Sequence, residues 1–111
     1  MQLWLRRAFF VAALFALVMA LLPKPPTLPG EPGDKIQHML AFATLGAIAA
    51  AGWRQRSIAI LLVWLAGFGA GIEVLQTIPA LHRDGDWRDW VADIMASAAA
   101  LGAVRALLPR R

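Results

Sequence analysis

The stretch IAILLVWLAGFGAGIEVLQTI, residues 58–78, decides the class of this protein. It holds a single acid, Glu73, and no basic residue. A helix needs about 20 mostly apolar residues to cross the hydrocarbon core of a bilayer, and this run is that long. A strand is the poorer reading: the apolar residues do not alternate, and a lone strand facing lipid would leave its backbone groups unpaired. The stretch therefore predicts a transmembrane helix that carries one carboxylate with it.

Three further apolar blocks flank it, at residues 3–22, 36–53 and 90–108. The whole composition agrees, with 59% hydrophobic residues, 16% charged residues and a mean hydropathy of +0.60. A soluble domain carries roughly 25% charged residues, well above this value. The expected fold is all-α, a membrane bundle of four transmembrane helices forming a single domain over residues 1–111. Residues 23–35 hold five of the seven prolines and break any helix there. Residues 54–57 are short enough for a tight turn between antiparallel helices. Residues 79–86 carry Pro79 as a stop, Gly85 as a turn residue, and Asp84 or Asp86 as a cap for the last helix.

Charge sets the expected orientation. If four helices alternate, Arg6, Arg7, Arg54, Arg56, Arg105, Arg110 and Arg111 fall on one side, seven of the eleven Lys and Arg residues. Lys24, Lys35, Arg83 and Arg88 on the other side are diluted by acids. The positive-inside rule then places both termini in the cytoplasm of a multi-pass protein of the bacterial inner membrane. This asymmetry accounts for the net charge of +4, and no basic patch with interleaved aromatics points to nucleic acid. Arg6 and Arg7 before an apolar core, with Val18-Met19-Ala20 behind, also fit a signal peptide. Three more apolar blocks follow, which favours a retained first helix. The absence of cysteine excludes disulfides and thiolate chemistry.

The polar residues gather at the outward ends of the blocks. Asp34 and His38 are four apart at the start of the second, with Lys35 beside them; Glu73 and Gln76 are three apart at the end of the third. Arg83, Asp86, Asp89 and Asp93 continue that spacing into the fourth. Residues three or four apart share a helix face, and polar groups beside lipid are expensive unless they face one another. The nine residues Asp34, Lys35, His38, Glu73, Gln76, Arg83, Asp86, Asp89 and Asp93 are thus expected to converge on one site. Gly67 and Gly71 form a GxxxG pair, Ala92, Ala96 and Ala100 repeat every fourth residue, and Ala43, Gly46 and Ala47 lie on the second helix; all suit close helix packing. The GxxxG pair also offers a face to a second copy of the chain. Trp4, Trp53, Trp87 and Trp90 read as interface anchors and Trp64 as deeper packing. Simpler readings exist for the acids: Asp34 and Asp86 suit the positive end of a helix dipole.

The pattern DKxxHxxxF (Asp34, Lys35, His38, Phe42), then ExxQ (Glu73, Gln76), then Arg83, Asp89 and Asp93 entering a last helix, resembles the VanZ-like membrane proteins over about residues 34–102. That family often has Asn followed three residues later by Gly at the last place, where this chain has Asp93 and Ala96. The resemblance implies a cell-envelope location and a link to glycopeptide (teicoplanin) resistance in the founding member.

Three classes of function fit these residues. In the first, Lys35, His38 and Arg83 bind the phosphate or carboxylate of a membrane lipid or lipid-linked envelope precursor while the acids orient them. In the second, an enzyme uses His38 or Glu73 as general base and an aspartate as acid. In the third, the paired cluster only fixes helix register. No cofactor is expected, and a metal is disfavoured because the chain has no HxxxH or HxxE pair and Lys35 and Arg83 would repel a cation. His82 reads as a solvated loop residue. No Ser-His-Asp triad, P-loop or dinucleotide loop is present, and Ser57 and Ser97 lack a base nearby in sequence.

Overall fold

The computed structural model describes residues 2–21, 34–78 and 87–108, with Asp34 and Lys35 described by backbone alone. Four helices follow one another: α1 (Gln2–Leu21), α2 (Asp34–Gly52), α3 (Ile58–Gln76) and α4 (Trp87–Leu107). Each begins or ends within a few residues of its apolar block. The largest difference is at α4, which starts a full turn early, with Trp87, Arg88 and Asp89 forming its first turn. An acid there suits the positive end of the helix dipole. Proline-rich residues 22–33 and residues 79–86, with His82, Arg83, Asp84 and Asp86, lie outside the described residues.

The turn between α2 and α3 is short, as its sequence predicts. Ser57 is the N-cap of α3, its Oγ accepting from the Ile60 N–H at 3.2 Å. The C-terminal carbonyls of α2 are capped from two other helices. Arg6 Nε of α1 donates to the Gly52 carbonyl at 2.7 Å, and Arg105 of α4 donates to the carbonyls of Trp53 (2.8 Å) and Ala50 (3.5 Å). Cations at a helix C-terminus satisfy orphan carbonyls and oppose the dipole. These contacts bring the start of α1, the α2–α3 turn and the end of α4 to one end of the bundle. Gln76 Nε2 donates to the Ala20 carbonyl at 2.9 Å, which brings the ends of α1 and α3 together at the other. The helices therefore run up, down, up, down.

α2 is the centre of the packing, and α4 is its main neighbour. One core cluster joins Leu45, Ala49 and Ala50 of α2 to Leu61 and Leu65 of α3 and Leu101 of α4. A second joins Ala20, Phe42 and Ile72 nearer the Gln76 end. Outside these the surface is apolar: Trp4, Phe10, Val11, Leu14, Phe15, Val63, Val74 and Met95 are all exposed. α1, α3 and α4 are each long and apolar enough to cross a membrane, yet only 11%, 22% and 17% of their spanning windows is buried within the protein. An outside this greasy needs lipid as its solvent. The apolar run of α2, Ile36–Gly52, is shorter and is wrapped by the other three. This is a helical membrane bundle.

Among the small residues, the expected close packing is found at Gly46 and Ala100 but not at the GxxxG pair. Gly46 lets α2 and α4 approach: a Cβ there would lie 2.9 Å from the Ser97 carbonyl oxygen and 3.3 Å from Ala100 Cβ. Gly69 does the same for α3, against Trp90 and Phe42. Gly67 and Gly71 have nothing within 4 Å of such a Cβ, so the GxxxG pair faces outward and takes no part in packing the bundle.

Candidate functional site: a His–Glu–Asp cluster between three helices

The register of α2 against its neighbours determines what meets His38. α2 and α4 run parallel, and two contacts fix their offset: Ser97 Oγ donates to the Phe42 carbonyl (3.4 Å) and Arg105 Nε to the Ala50 carbonyl, each spanning 55 residues. His38 and Asp93 have the same separation, one turn beyond Phe42 and Ser97. α3 runs antiparallel to α2, with Gly69 seated on the Phe42 ring. One turn toward the same end, Glu73 of α3 comes level with His38. The three side chains accordingly meet, with one ligand-type atom from each lying within 4.8 Å of the others.

The surroundings make this meeting costly in water-free terms. Asp93 is 2% exposed, and His38 and Glu73 are half-buried. One oxygen of each acid, Glu73 Oε1 and Asp93 Oδ1, is sealed from solvent, and both residues take part in an interaction. Directly beneath lie Phe42 and Ile72, both buried and apolar. Two carboxylates and an imidazole at one level of an apolar bundle need compensation by protons, hydrogen-bond donors or a cation. Chemically the set can pass protons between imidazole and carboxylate, accept hydrogen bonds from hydroxyl or ammonium groups, or ligate a metal.

The remaining polar residues divide by role. Gln76 is 2% exposed, and its amide nitrogen is used as a strut to α1. Asp89 lies one turn before Asp93 in the first turn of α4 and is half-buried. Asp34 and Lys35 form the first turn of α2, one turn before His38. Arg83 and Asp86 lie outside the described residues. The structure thus joins His38, Glu73 and Asp93, with Asp34, Lys35 and Asp89 placed at the same end by their helices.

Two side chains that sequence reasoning set aside prove to position the site. Trp90 is no simple interface anchor: its Nε1 donates to the Ala66 carbonyl of α3 at 2.8 Å, pinning α4 to α3. Ser97, fully buried, pins α4 to α2. The signal for Ser97 was available in the spacing, since Asp93, Ser97 and Leu101 fall every fourth residue and form the buried stripe of α4. Among the other tryptophans, Trp87 is 69% exposed, with the Arg88 guanidinium over its ring. Trp64, expected as deeper packing, is also exposed, and packs edge-on against Trp53.

No family model, curated protein or solved structure matches this chain.

Proposed function

We propose that this chain is a VanZ-like protein of the bacterial cytoplasmic membrane that binds the polar head group of an envelope lipid or lipid-linked precursor at the end of the bundle holding His38, Glu73 and Asp93. The observation that carries the reading is their convergence from three helices at one level of an apolar bundle. A polar cluster built from three helices beside lipid is more than helix locking requires, since Ser97, Trp90, Gln76, Arg6 and Arg105 already tie the helices together. Arg88 in the first turn of α4 adds positive charge at the same end, where an anionic head group would lie. The arginines at the opposite end support an orientation with both termini cytoplasmic and the cluster facing outward. A link to glycopeptides follows from the family resemblance alone.

The same geometry supports a second reading, an enzyme acting on such a lipid. A histidine held beside two carboxylates is an arrangement suited to general acid–base catalysis. Native mass spectrometry of the protein released from membranes separates the readings. Binding predicts an intact lipid or lipid-linked adduct on the wild type that is lost in folded Glu73→Gln and Asp93→Asn. An enzyme predicts lipid turnover that both variants abolish. Variants that keep every adduct and merely unfold sooner would reduce the cluster to a register lock and defeat both.

A further inference from the structure

We propose that His38, Glu73 and Asp93 form a binding site for one zinc-class divalent ion, supplying three protein ligands and leaving one coordination position for a further ligand. Two things told against a metal in the sequence: the absence of short-range motifs such as HxxxH, which matters only for ligands on one helix, and repulsion by Lys35 and Arg83, which the carboxylates of Glu73 and Asp93 oppose at the cluster itself. Here each ligand comes from a different helix, and only the register of α2 against α3 and α4 brings them together.

Four features fit. The donor set is mixed, one imidazole and two carboxylates, and imidazole suits zinc and its neighbours while carboxylates accept them readily. Three protein ligands plus a free position is the arrangement of zinc sites that engage a further ligand. The charges balance: two carboxylates and a neutral imidazole around a divalent ion give a net charge of zero, the state that a low-dielectric bundle tolerates best. The frame is rigid, because close approach at Gly46 and Gly69 and the contacts of Ser97 and Trp90 fix the three helices within one or two turns of the cluster. Metal–ligand bonds of about 2.0–2.1 Å place tetrahedral donors roughly 3.3 Å apart, so donors now within 4.8 Å need only small side-chain rotations to close on an ion.

The proposal deepens the head-group reading and rests on it only for what fills the open position. A site with two acids is a poor receptor for a phosphate by itself. A bound divalent ion reverses that preference, giving a phosphate or carboxylate oxygen a cation to coordinate.

The test uses the full chain in detergent micelles, stripped with chelator and titrated with Zn2+ alone. Wild type and Gln37→Ala, an exposed position beside His38, are expected to hold one Zn2+ per chain. His38→Ala, Glu73→Gln and Asp93→Asn are expected to bind at least about 100-fold more weakly, since even outer-shell changes cost 10–100-fold. Co2+ gives a readout that does not depend on variants folding: wild type should show the visible absorption bands of a four-coordinate N/O site, bleached by one equivalent of Zn2+. Wild type that takes up no stoichiometric Zn2+, or variants that bind as well as wild type, would overturn the site. Lipid adducts that survive chelation would then leave the head-group reading standing without the metal. Adducts lost on chelation and restored by Zn2+ would support both.

Discussion

At the residue scale, a polar side chain in an apolar bundle is informative because it must be answered by something. Gln76 is answered by the Ala20 carbonyl in the last turn of α1, where carbonyls have no partner within their own helix. Gln76→Leu should therefore destabilise the bundle by about 0.6 kcal/mol, the average for hydrogen bonds between membrane helices, and by no more than about 1.7 kcal/mol. Thr44→Val is the contrasting change, because Thr44 Oγ1 only bonds back to the Leu40 carbonyl of its own helix on an exposed face, and it should stay within about 0.5 kcal/mol of wild type. Equilibrium unfolding in mixed micelles, followed by helical circular dichroism, ranks the two. His38, Glu73 and Asp93 were legible in the sequence as candidates, since each interrupts or borders an apolar run. The use made of Gln76 and Trp90 was not legible: an amide or an indole can serve a ligand, an interface or a neighbouring carbonyl, and only the neighbour's position decides.

At the element scale, the four helices could be read from block length and hydropathy, and their ends from Ser57, the prolines and the charged residues. Gly46 could be read as a packing position, but the roles of Gly67, Gly69 and Gly71 could not. Gly67 and Gly71 have the familiar spacing but face outward, whereas Gly46 and Gly69 carry the close approaches of α2 to α4 and of α3 to α2 and α4. The difference lies in helix rotation, which spacing within one helix does not specify. Gly46→Ala sets a methyl group against the Ser97 backbone at 2.9 Å, so α2 and α4 must part, at a cost of about 1–3 kcal/mol. Gly67→Ala meets nothing, and a gain of up to about 1 kcal/mol in helix propensity is expected. The same unfolding titration checks the pair. A concentration-dependent loss of stability in Gly67→Ala would instead show that the outward face binds a second copy.

At the scale of the molecule, Arg6, Arg54 and Arg105 lie at the opposite end from the candidate site. Arg6, Arg54 and Arg105 gather where α1 begins, α2 turns into α3 and α4 finishes, while His38, Glu73 and Asp93 lie toward the far end. The chain contains no cysteine, so single introduced cysteines report sidedness without background. Gln55→Cys in the α2–α3 turn should resist a membrane-impermeant maleimide in intact cells and react once the cells are opened, whereas Thr27→Cys between α1 and α2 should react at once. The reverse pattern would invert the proposed orientation. This layout was legible from charge counts along the blocks. That the arginines also cap α2 was not, because capping depends on which helix lies beside which.

The central place of α2 bears on how the protein is made. α2 leaves the ribosome joined to α3 by a turn of a few residues, so the two are suited to enter the bilayer as a hairpin, with His38 and Glu73 brought level from the start. The main partner of α2, however, is α4, the last helix to be synthesised. Until α4 arrives, the carbonyls of Trp53 and Ala50 lack Arg105, and His38 and Glu73 lack Asp93. A chain cut before Trp87 would hold His38 and Glu73 in the membrane without Asp93, a half-built polar site of the kind that is costly in lipid. Docking of α4 thus completes both the capping of α2 and the cluster.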